Sequence, residues 1–140
     1  MRINNIQDEI ISDFDLFDNW MDKYNYLIEL SKDIILIPKS KKNDENLIKG
    51  CQSKVWLFAE YKNNKLYFSG DSDAIITKGI ISLLISIFNN QSCDDILNSE
   101  IYFIKKIGLN EHLSMNRSNG LISMIKQIKI YALAFKNRIK

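Results

Sequence analysis

The chain has 140 residues, of which 46% are hydrophobic and 26% are charged, a composition typical of one folded domain. Its 19 basic and 17 acidic side chains give a formal net charge of +2 with the two signs mixed. This balance argues against an obligate nucleic-acid binder and against a protein that binds anionic membranes. A chain of this length buries about two-thirds of its surface, so we expect a single domain over residues 1–140 that folds without a metal or disulfide.

The sequence predicts a cytoplasmic protein with thiol chemistry. Residues 1–12 lack the basic start and apolar run of a secretory signal, and the most apolar stretch, residues 79–88, is far shorter than the roughly 20 residues that cross a bilayer. The cysteines, Cys51 and Cys93, form no C-x-x-C pair, and His112 is the only histidine. The usual zinc frameworks are therefore excluded, and a disulfide scaffold is not expected.

Two amphipathic helices are predicted at the N-terminal end. Apolar residues recur at helical spacing from Ile3 to Phe14 and again from Trp20 to Ser31, separated by the aspartate-rich residues 13–18, which can cap the second helix. Residues 39–45 contain no apolar side chain, which predicts a solvated loop leading toward Cys51.

A β-hairpin is predicted next. Val55–Ala59 and Leu66–Phe68 are β-branched and aromatic runs, and Lys62–Asn64 between them suits a tight turn. Since a stable sheet needs a third strand, residues 34–38 are the extended candidate.

Helices are predicted to follow the hairpin. Gly70–Asp73 signals a turn and a helix N-cap ahead of a long buried helix over Ala74–Phe88. Ser92 and Ser99 are each expected to cap a short helix, and Gly108 supplies a left-handed stop.

The last predicted element is an amphipathic helix over residues 114–139, with an apolar stripe opposite lysines. The order of helices, hairpin and helices predicts an α+β fold, in which a small antiparallel sheet of about three strands packs against helices.

Cys51 is the main candidate for chemistry. Gly50 lets the loop turn sharply, and the polar pair Gln52 and Ser53 separates the cysteine from the following strand, which favours a displayed thiol. The alternative is a small core residue, because cysteine is often buried. Antiparallel pairing places this loop close to Asp71–Asp73, at the start of the long helix, where helix capping is the ordinary role of an aspartate.

The polar residues 111–120 have two interpretations, a functional surface loop or a turn with a helix start capped by Ser114. His112 could act as a base toward a cysteine, but the sequence shows no residue that would orient it. We therefore do not expect Cys51 and His112 to form a hydrolase site.

Four blocks in order along the chain resemble the SufE family, whose members accept sulfur from the SufS cysteine desulfurase in iron–sulfur cluster assembly. The blocks are residues 19–30, residues 46–56 with the run G-C-Q-S-K-V-W, residues 70–79, and residues 109–120 with the run L-S-M-N-R-S-N-G. The resemblance extends from Asp15 to Tyr131, which is most of the chain.

The resemblance implies a persulfide carrier. In this interpretation Cys51 accepts the terminal sulfur of a SufS-type desulfurase persulfide, stimulates that enzyme, and passes the sulfur to a SufB-C-D type scaffold. The chain would be no stand-alone enzyme and would need neither cofactor nor metal, with a SufE/IscU-like fold. The residues to which the resemblance gives supporting or partner-binding roles are Gly50, Gln52, Ser53, Asp73 and Arg117.

Two positions depart from the family pattern. Lys54 stands where glutamine is common, which adds a charge beside the thiol, and Met115 replaces a proline that is favoured but not required at a helix start. The alternative function is an adaptor that binds the desulfurase or the scaffold and uses Cys51 only for packing.

Overall fold

The computed structural model describes residues 2–139, with side chains through residue 138, and it confirms the α+β class. Two short 3-10 turns, Lys39–Lys41 and Asp44–Asn46, lie in the loop before the sheet. The elements in chain order are α1 (Ile3–Phe14), α2 (Trp20–Ser31), β1 (Val55–Lys62), β2 (Lys65–Ser72), α3 (Ile75–Phe88), α4 (Cys93–Leu97), α5 (Phe103–Ile107), α6 (Leu109–His112) and α7 (Met115–Ile139).

Helix α3 is the centre of the core. Most of its residues are buried, and it packs against α2, α7 and the inner face of β2. At Gly79 the backbone of α2 comes so close that a Cβ would collide with the carbonyl oxygen of Leu27. The long apolar run that predicted this helix is therefore explained by contacts on several of its sides.

The sheet has two antiparallel strands, whereas about three were predicted. The register runs from Val55 opposite Ser72 to Lys62 opposite Lys65, and the turn places Asn63 and Asn64 at positive φ, as two-residue hairpins require.

The segment predicted as a third strand makes a single parallel bridge, between Leu36 and Gly70. The N–H of Ile37 donates to the Gly70 carbonyl at 3.1 Å, and the N–H of Gly70 donates to the Ile35 carbonyl at 2.9 Å. The pairing ends there because the Ser72 N–H, which would continue it, bonds to the Asp71 carboxylate at 2.8 Å, and a 3-10 turn begins directly after Pro38.

Other backbone groups on the outer edge of β2 are bonded by residues that follow α3. The N–H of Leu66 donates to the Gln91 carbonyl at 2.8 Å, and the N–H of Asn90 donates to the Leu66 carbonyl at 2.8 Å. The N–H of Phe68 donates to the Asn89 side-chain oxygen at 2.8 Å. These contacts take the place of a neighbouring strand.

The edge of β1 is covered in the same way near the start of the strand. The N–H of Ile48 donates to the Val55 carbonyl at 2.8 Å, and the hydroxyl of Tyr131 on α7 donates to the Leu57 carbonyl at 2.9 Å. Helix α7 is thereby joined to the sheet by a direct hydrogen bond.

The outer face of the sheet is covered by lysines from residues 38–46, a loop that the sequence predicted to be solvated. The Lys42 ammonium lies 4.6 Å from the ring centroid of Trp56, and that of Lys41 lies 5.2 Å from the ring of Phe58. These cation–π contacts hold the polar loop against two half-buried aromatic rings.

Asp71 is the charged anchor of that loop. Its carboxylate lies 2.8 Å from Lys42 and 3.3 Å from Lys78 on α3. Burial alone would raise the pKa of Asp71, but hydrogen bonds from Lys42, from the backbone of Ser72 and from Lys78 outweigh it and hold the pKa below its usual range.

Three of the predicted helix boundaries are confirmed. The Ser92 hydroxyl accepts the N–H of Asp95 at 3.1 Å at the start of α4, and the Ser114 hydroxyl accepts the N–H of Arg117 at 3.3 Å at the start of α7. Gly108 ends α5 at a φ of 78°.

Two predicted caps are wrong. The Ser99 hydroxyl donates back to the Ile96 carbonyl of α4, so α5 begins only at Phe103. Asn19, and not the aspartates before it, caps α2 by accepting the N–H of Asp22 at 2.9 Å.

Candidate functional site

The loop that carries Cys51 joins residue 48 to β1 and is fixed at its ends. Gly50 has a φ of 91°, and a Cβ there would lie 2.6 Å from the Ser123 hydroxyl of α7. A side chain at this position would therefore be strained and would collide with the helix. The bond from the Ile48 N–H to the Val55 carbonyl closes the base of the loop.

Asp73 and Ser72 hold the other end of the loop. The N–H of Lys54 donates to the Asp73 carboxylate at 3.0 Å, the Asp73 N–H donates to the Lys54 carbonyl at 3.2 Å, and the Ser72 hydroxyl donates to the same carbonyl at 2.8 Å. The expectation that an aspartate caps the long helix is therefore wrong. Within residues 2–139 no side chain caps α3, because Asp73 is engaged by Lys54 and Asp71 by lysines.

The tip of the loop rests on α7. The Asn116 amide donates to the Gln52 side-chain oxygen at 2.8 Å. The Cys51 thiol donates to the Gly120 carbonyl oxygen at 3.6 Å. A Cβ at residue 120 would lie 3.4 Å from the Cys51 sulfur, so a glycine there lets the helix approach the thiol.

Cys51 opens on a cavity of about 290 Å³ between the loop, α3 and α7. The thiol is half-buried, and burial raises its pKa. The cavity also contacts the start of α3, as antiparallel pairing predicted. The lining residues are Cys51, Gln52, Ser53, Thr77, Ile80, Ser114, Asn116, Arg117, Gly120 and Met124.

Arg117 is the charged residue at the cavity. Its side chain is exposed, and its guanidinium forms no ion pair with any residue in the described part of the chain. The Lys54 side chain is also exposed. The thiol therefore has cationic groups nearby that are available to another molecule.

His112 lies elsewhere. Its ring stacks on Trp20 with centroids 4.0 Å apart, its carbonyl accepts the Tyr24 hydroxyl, and it is not among the residues that line the Cys51 cavity within the described chain. In this position His112 cannot act as a base toward Cys51.

Cys93 is a core residue. It begins α4, is 7% exposed, and belongs to the main hydrophobic cluster. Its pKa is raised first by burial and then by the neighbouring Asp94. The Lys136 ammonium of α7 lies 2.6 Å from the Asp94 carboxylate.

Sequence reasoning did not assign six of the lining residues to the site: Thr77, Ile80, Ser114, Asn116, Gly120 and Met124. Gly120 had a usable signal, because a glycine inside a helix costs roughly 1 kcal/mol relative to alanine and so suggests a close approach. Thr77 and Asn116 had no signal of their own, since their neighbours are set by how α3 and α7 pack.

These features define a helix-covered α+β domain that carries one accessible thiol at a cavity. The family model SufE, described as an Fe-S metabolism associated domain, matches residues 8–132. An uncharacterized SufE-like protein of Rhizobium meliloti (strain 1021) is 41% identical over 127 residues, which cover 87% of this chain and 91% of that protein. A second SufE-like protein, from Rhizobium etli, is 39% identical over 87% of this chain and 86% of its own length.

The chain belongs to the SufE family, and its role is in iron–sulfur metabolism. The solution structure of a hypothetical protein from Thermus thermophilus has the same fold, with a TM-score of 0.76 and 16% identity over 92% of this chain and 94% of that one. No helix within residues 2–139 has the length and apolar character to cross a bilayer.

Proposed function

We propose that this protein carries sulfur from a SufS-type cysteine desulfurase to a SufB-C-D type scaffold and stimulates the desulfurase. Cys51 is the sulfur carrier, as a cysteine persulfide. The observation that supports this most directly is the placement of Cys51, within the segment that resembles the family motif, on a cavity beside Arg117, which forms no ion pair with the described residues.

The transfer needs only a thiolate. The Cys51 thiolate attacks the terminal sulfur of the desulfurase persulfide, the sulfur–sulfur bond of the donor breaks, and the desulfurase cysteine leaves as a thiolate. A new sulfur–sulfur bond forms on Cys51, and the proton released from the Cys51 thiol balances the one taken up by the leaving group. No external oxidant or reductant takes part.

The site protects the thiol in the free protein. Because the pKa of Cys51 is raised, the free thiol stays mostly protonated at neutral pH and reacts slowly. Among the described residues, the Gln52–Asn116 bond and the Cys51–Gly120 contact are the hydrogen bonds that hold the tip of the loop, whereas several backbone bonds hold its ends. Docking of the desulfurase turns this tip outward, with Gly50 as the hinge, by binding the open loop more tightly than the closed one.

Arg117 and Gln52 belong to the docking surface. Arg117 offers a planar guanidinium beside the cavity, which suits an acidic group or a carbonyl of the partner. Lys54, which replaces the usual glutamine, adds a second cation and so favours an acidic surface on the desulfurase.

The experiment follows sulfur from cysteine to this chain. The SufS-type desulfurase of the same organism is given cysteine labelled with radioactive sulfur, and the proteins are separated without reductant. We expect label on the wild-type chain and on the Cys93→Ser variant, and its loss from both when dithiothreitol is added.

The Cys51→Ser variant separates the carrier from an adaptor. We expect it to bind the desulfurase but to retain no label and to give no stimulation of alanine release. A Cys51→Ser variant that stimulates the enzyme as well as the wild type would contradict the carrier and support an adaptor with a structural cysteine.

A further inference from the structure

Thr77 on the first turn of α3 is a buried polar residue that faces the Cys51 cavity. Its side chain is 6% exposed, it lines the cavity, and its hydroxyl makes no hydrogen bond with any residue in the described part of the chain. No polar side-chain atom there is both fully occluded and unpaired, so the Thr77 hydroxyl keeps some accessible surface, on a residue that lines the cavity.

The surroundings of Cys51 restrict where a second sulfur can lie. The Cys51 sulfur rests against the backbone of Gly120, whose carbonyl is a hydrogen-bond acceptor at 3.6 Å. That carbonyl suits a protonated thiol but repels an anionic sulfur. A persulfide adds one sulfur at about 2.05 Å from the first, and the open direction for it is the cavity.

We propose that the Thr77 hydroxyl donates a hydrogen bond to the terminal sulfur of the Cys51 persulfide and so holds the sulfur in the cavity as an anion. This inference rests on the proposed carrier function and adds to it the residue that binds the cargo. The ligand class is a protein-bound perthiolate, and no covalent bond to Thr77 is involved.

The other polar side chains of the cavity are more exposed than Thr77, and among them Ser53 is half-buried. The Ser114 hydroxyl accepts the backbone N–H of Arg117, and the Asn116 amide donates to Gln52. Arg117 and Asn116 are exposed, which suits contact with a partner. Thr77 is the polar lining residue that is buried and whose side chain makes no hydrogen bond in the described structure.

The test loads Cys51 without a desulfurase, so that it does not depend on the proposed function. The full-length protein is treated with inorganic polysulfide, in which the Cys51 thiolate attacks a sulfur–sulfur bond and a shorter polysulfide leaves. Mass spectrometry of the Cys51 peptide confirms one added sulfur. The alkylation rate of the loaded and of the unloaded protein is then measured with iodoacetamide between pH 5 and pH 9.

The Thr77→Val variant keeps the shape of the side chain but loses the hydroxyl. We expect it to raise the pH midpoint of alkylation of the loaded protein by about one pH unit, which slows alkylation about tenfold below the midpoint. Thr77→Ser restores the wild-type midpoint. Ser82→Ala, which removes a buried hydroxyl of α3 that does not line this cavity in the described structure, leaves it unchanged. The unloaded thiol titrates identically in all of these proteins.

Three results would overturn the inference: equal midpoints for the loaded wild type and Thr77→Val, an equal shift in the unloaded proteins, or a Cys51 that polysulfide cannot load. Thr77→Ala replaces the valine variant if that variant is unstable. Loss of label transfer from the desulfurase with the Thr77 effect intact would instead reject the carrier function alone.

Discussion

The two cysteines have different surroundings, although the pKa of each is shifted in the same direction. The pKa of each thiol is raised, and burial is the main cause for both. Cys93 lies in the apolar core at the start of α4, whereas Cys51 is half-buried on a loop whose tip is held by contacts with Asn116 and Gly120 of α7. Access to a cavity with hydrogen-bond donors therefore distinguishes Cys51 from Cys93.

Exchanging each cysteine for serine should separate function from stability. Cys51→Ser should abolish sulfur retention and leave the free energy of unfolding nearly unchanged, because the site is open to solvent. Cys93→Ser should retain sulfur transfer but lose roughly 1–2 kcal/mol, since a hydroxyl is then buried in an apolar site. Label retention and urea unfolding measure the two effects, and a reversed pattern would show that the roles are misassigned.

Native-state alkylation should differ by about a hundredfold or more between the two thiols. Cys93 reacts only after local unfolding of α4, whereas Cys51 needs only movement of its loop. Iodoacetamide labelling read by peptide mass spectrometry measures both rates, and urea should bring them within a few-fold of each other. Comparable native rates would contradict the assignment of Cys93 to the core.

Both alkylation rates should rise steeply with pH. The thiolate is the nucleophile, and each raised pKa leaves less thiolate at neutral pH than a free cysteine has. We therefore expect Cys51 to react more slowly than a small-molecule thiol at pH 7 and to approach its rate only as the pH rises past the ordinary pKa of cysteine. A Cys51 rate at pH 7 that matches the free thiol would contradict the sheltered loop.

Removing the cation near Cys51 should change stimulation of the desulfurase, whereas removing the cation near Cys93 should change only stability. Arg117→Ala should reduce stimulation of the desulfurase about tenfold without a change in melting temperature, because the guanidinium has no ion pair within the described structure. Lys136→Ala, which breaks the ion pair with Asp94, should cost less than about 1 kcal/mol and leave stimulation unchanged. Equal loss of stability and stimulation in Arg117→Ala would indicate a structural role.

The smallest effects should come from loosening the backbone beside each thiol. Asp73→Ala removes the acceptor of the Lys54 N–H and should speed alkylation of Cys51 about fivefold, with little change at Cys93. Ser92→Ala removes the cap of α4 and should increase the alkylation rate of Cys93 by the same factor, with little change in the rate of Cys51. Either substitution acting on both thiols would mean that the two regions open together.

The elements with long, regular patterns could be predicted from the sequence. The apolar run of α3, the stripe of α7 and the aromatic hairpin all follow from side-chain periodicity. The extra strand at residues 34–38 was wrong because the pairing stops after one bridge, where the Ser72 N–H bonds to Asp71 and the chain enters a 3-10 turn. Short capping signals were less secure, as Ser99 shows, because a serine hydroxyl can also bond to the helix before it.

The sequence was enough to locate the candidate site but not to predict which residues contact one another there. The Gly50-Cys51 pair and the family resemblance pointed to the thiol, whereas the role of Asp73 depended on strand register. An aspartate before a helix can cap that helix or bind a neighbouring loop, since both need only an acceptor oxygen. The pairing of Val55 with Ser72 brings the Lys54 N–H to that carboxylate, and sequence spacing alone does not contain this information.

The covered edges of the sheet bear on how this protein behaves at high concentration. A free strand edge can pair with another chain, which leads to domain swapping and aggregation. In β2, the backbone bonds at Leu66 and Gly70 and the Asn89 side chain on Phe68 occupy groups through which a second molecule would add a strand. A loop that presents its side chain to a partner can in this way coexist with a β2 edge that stays closed to strand addition.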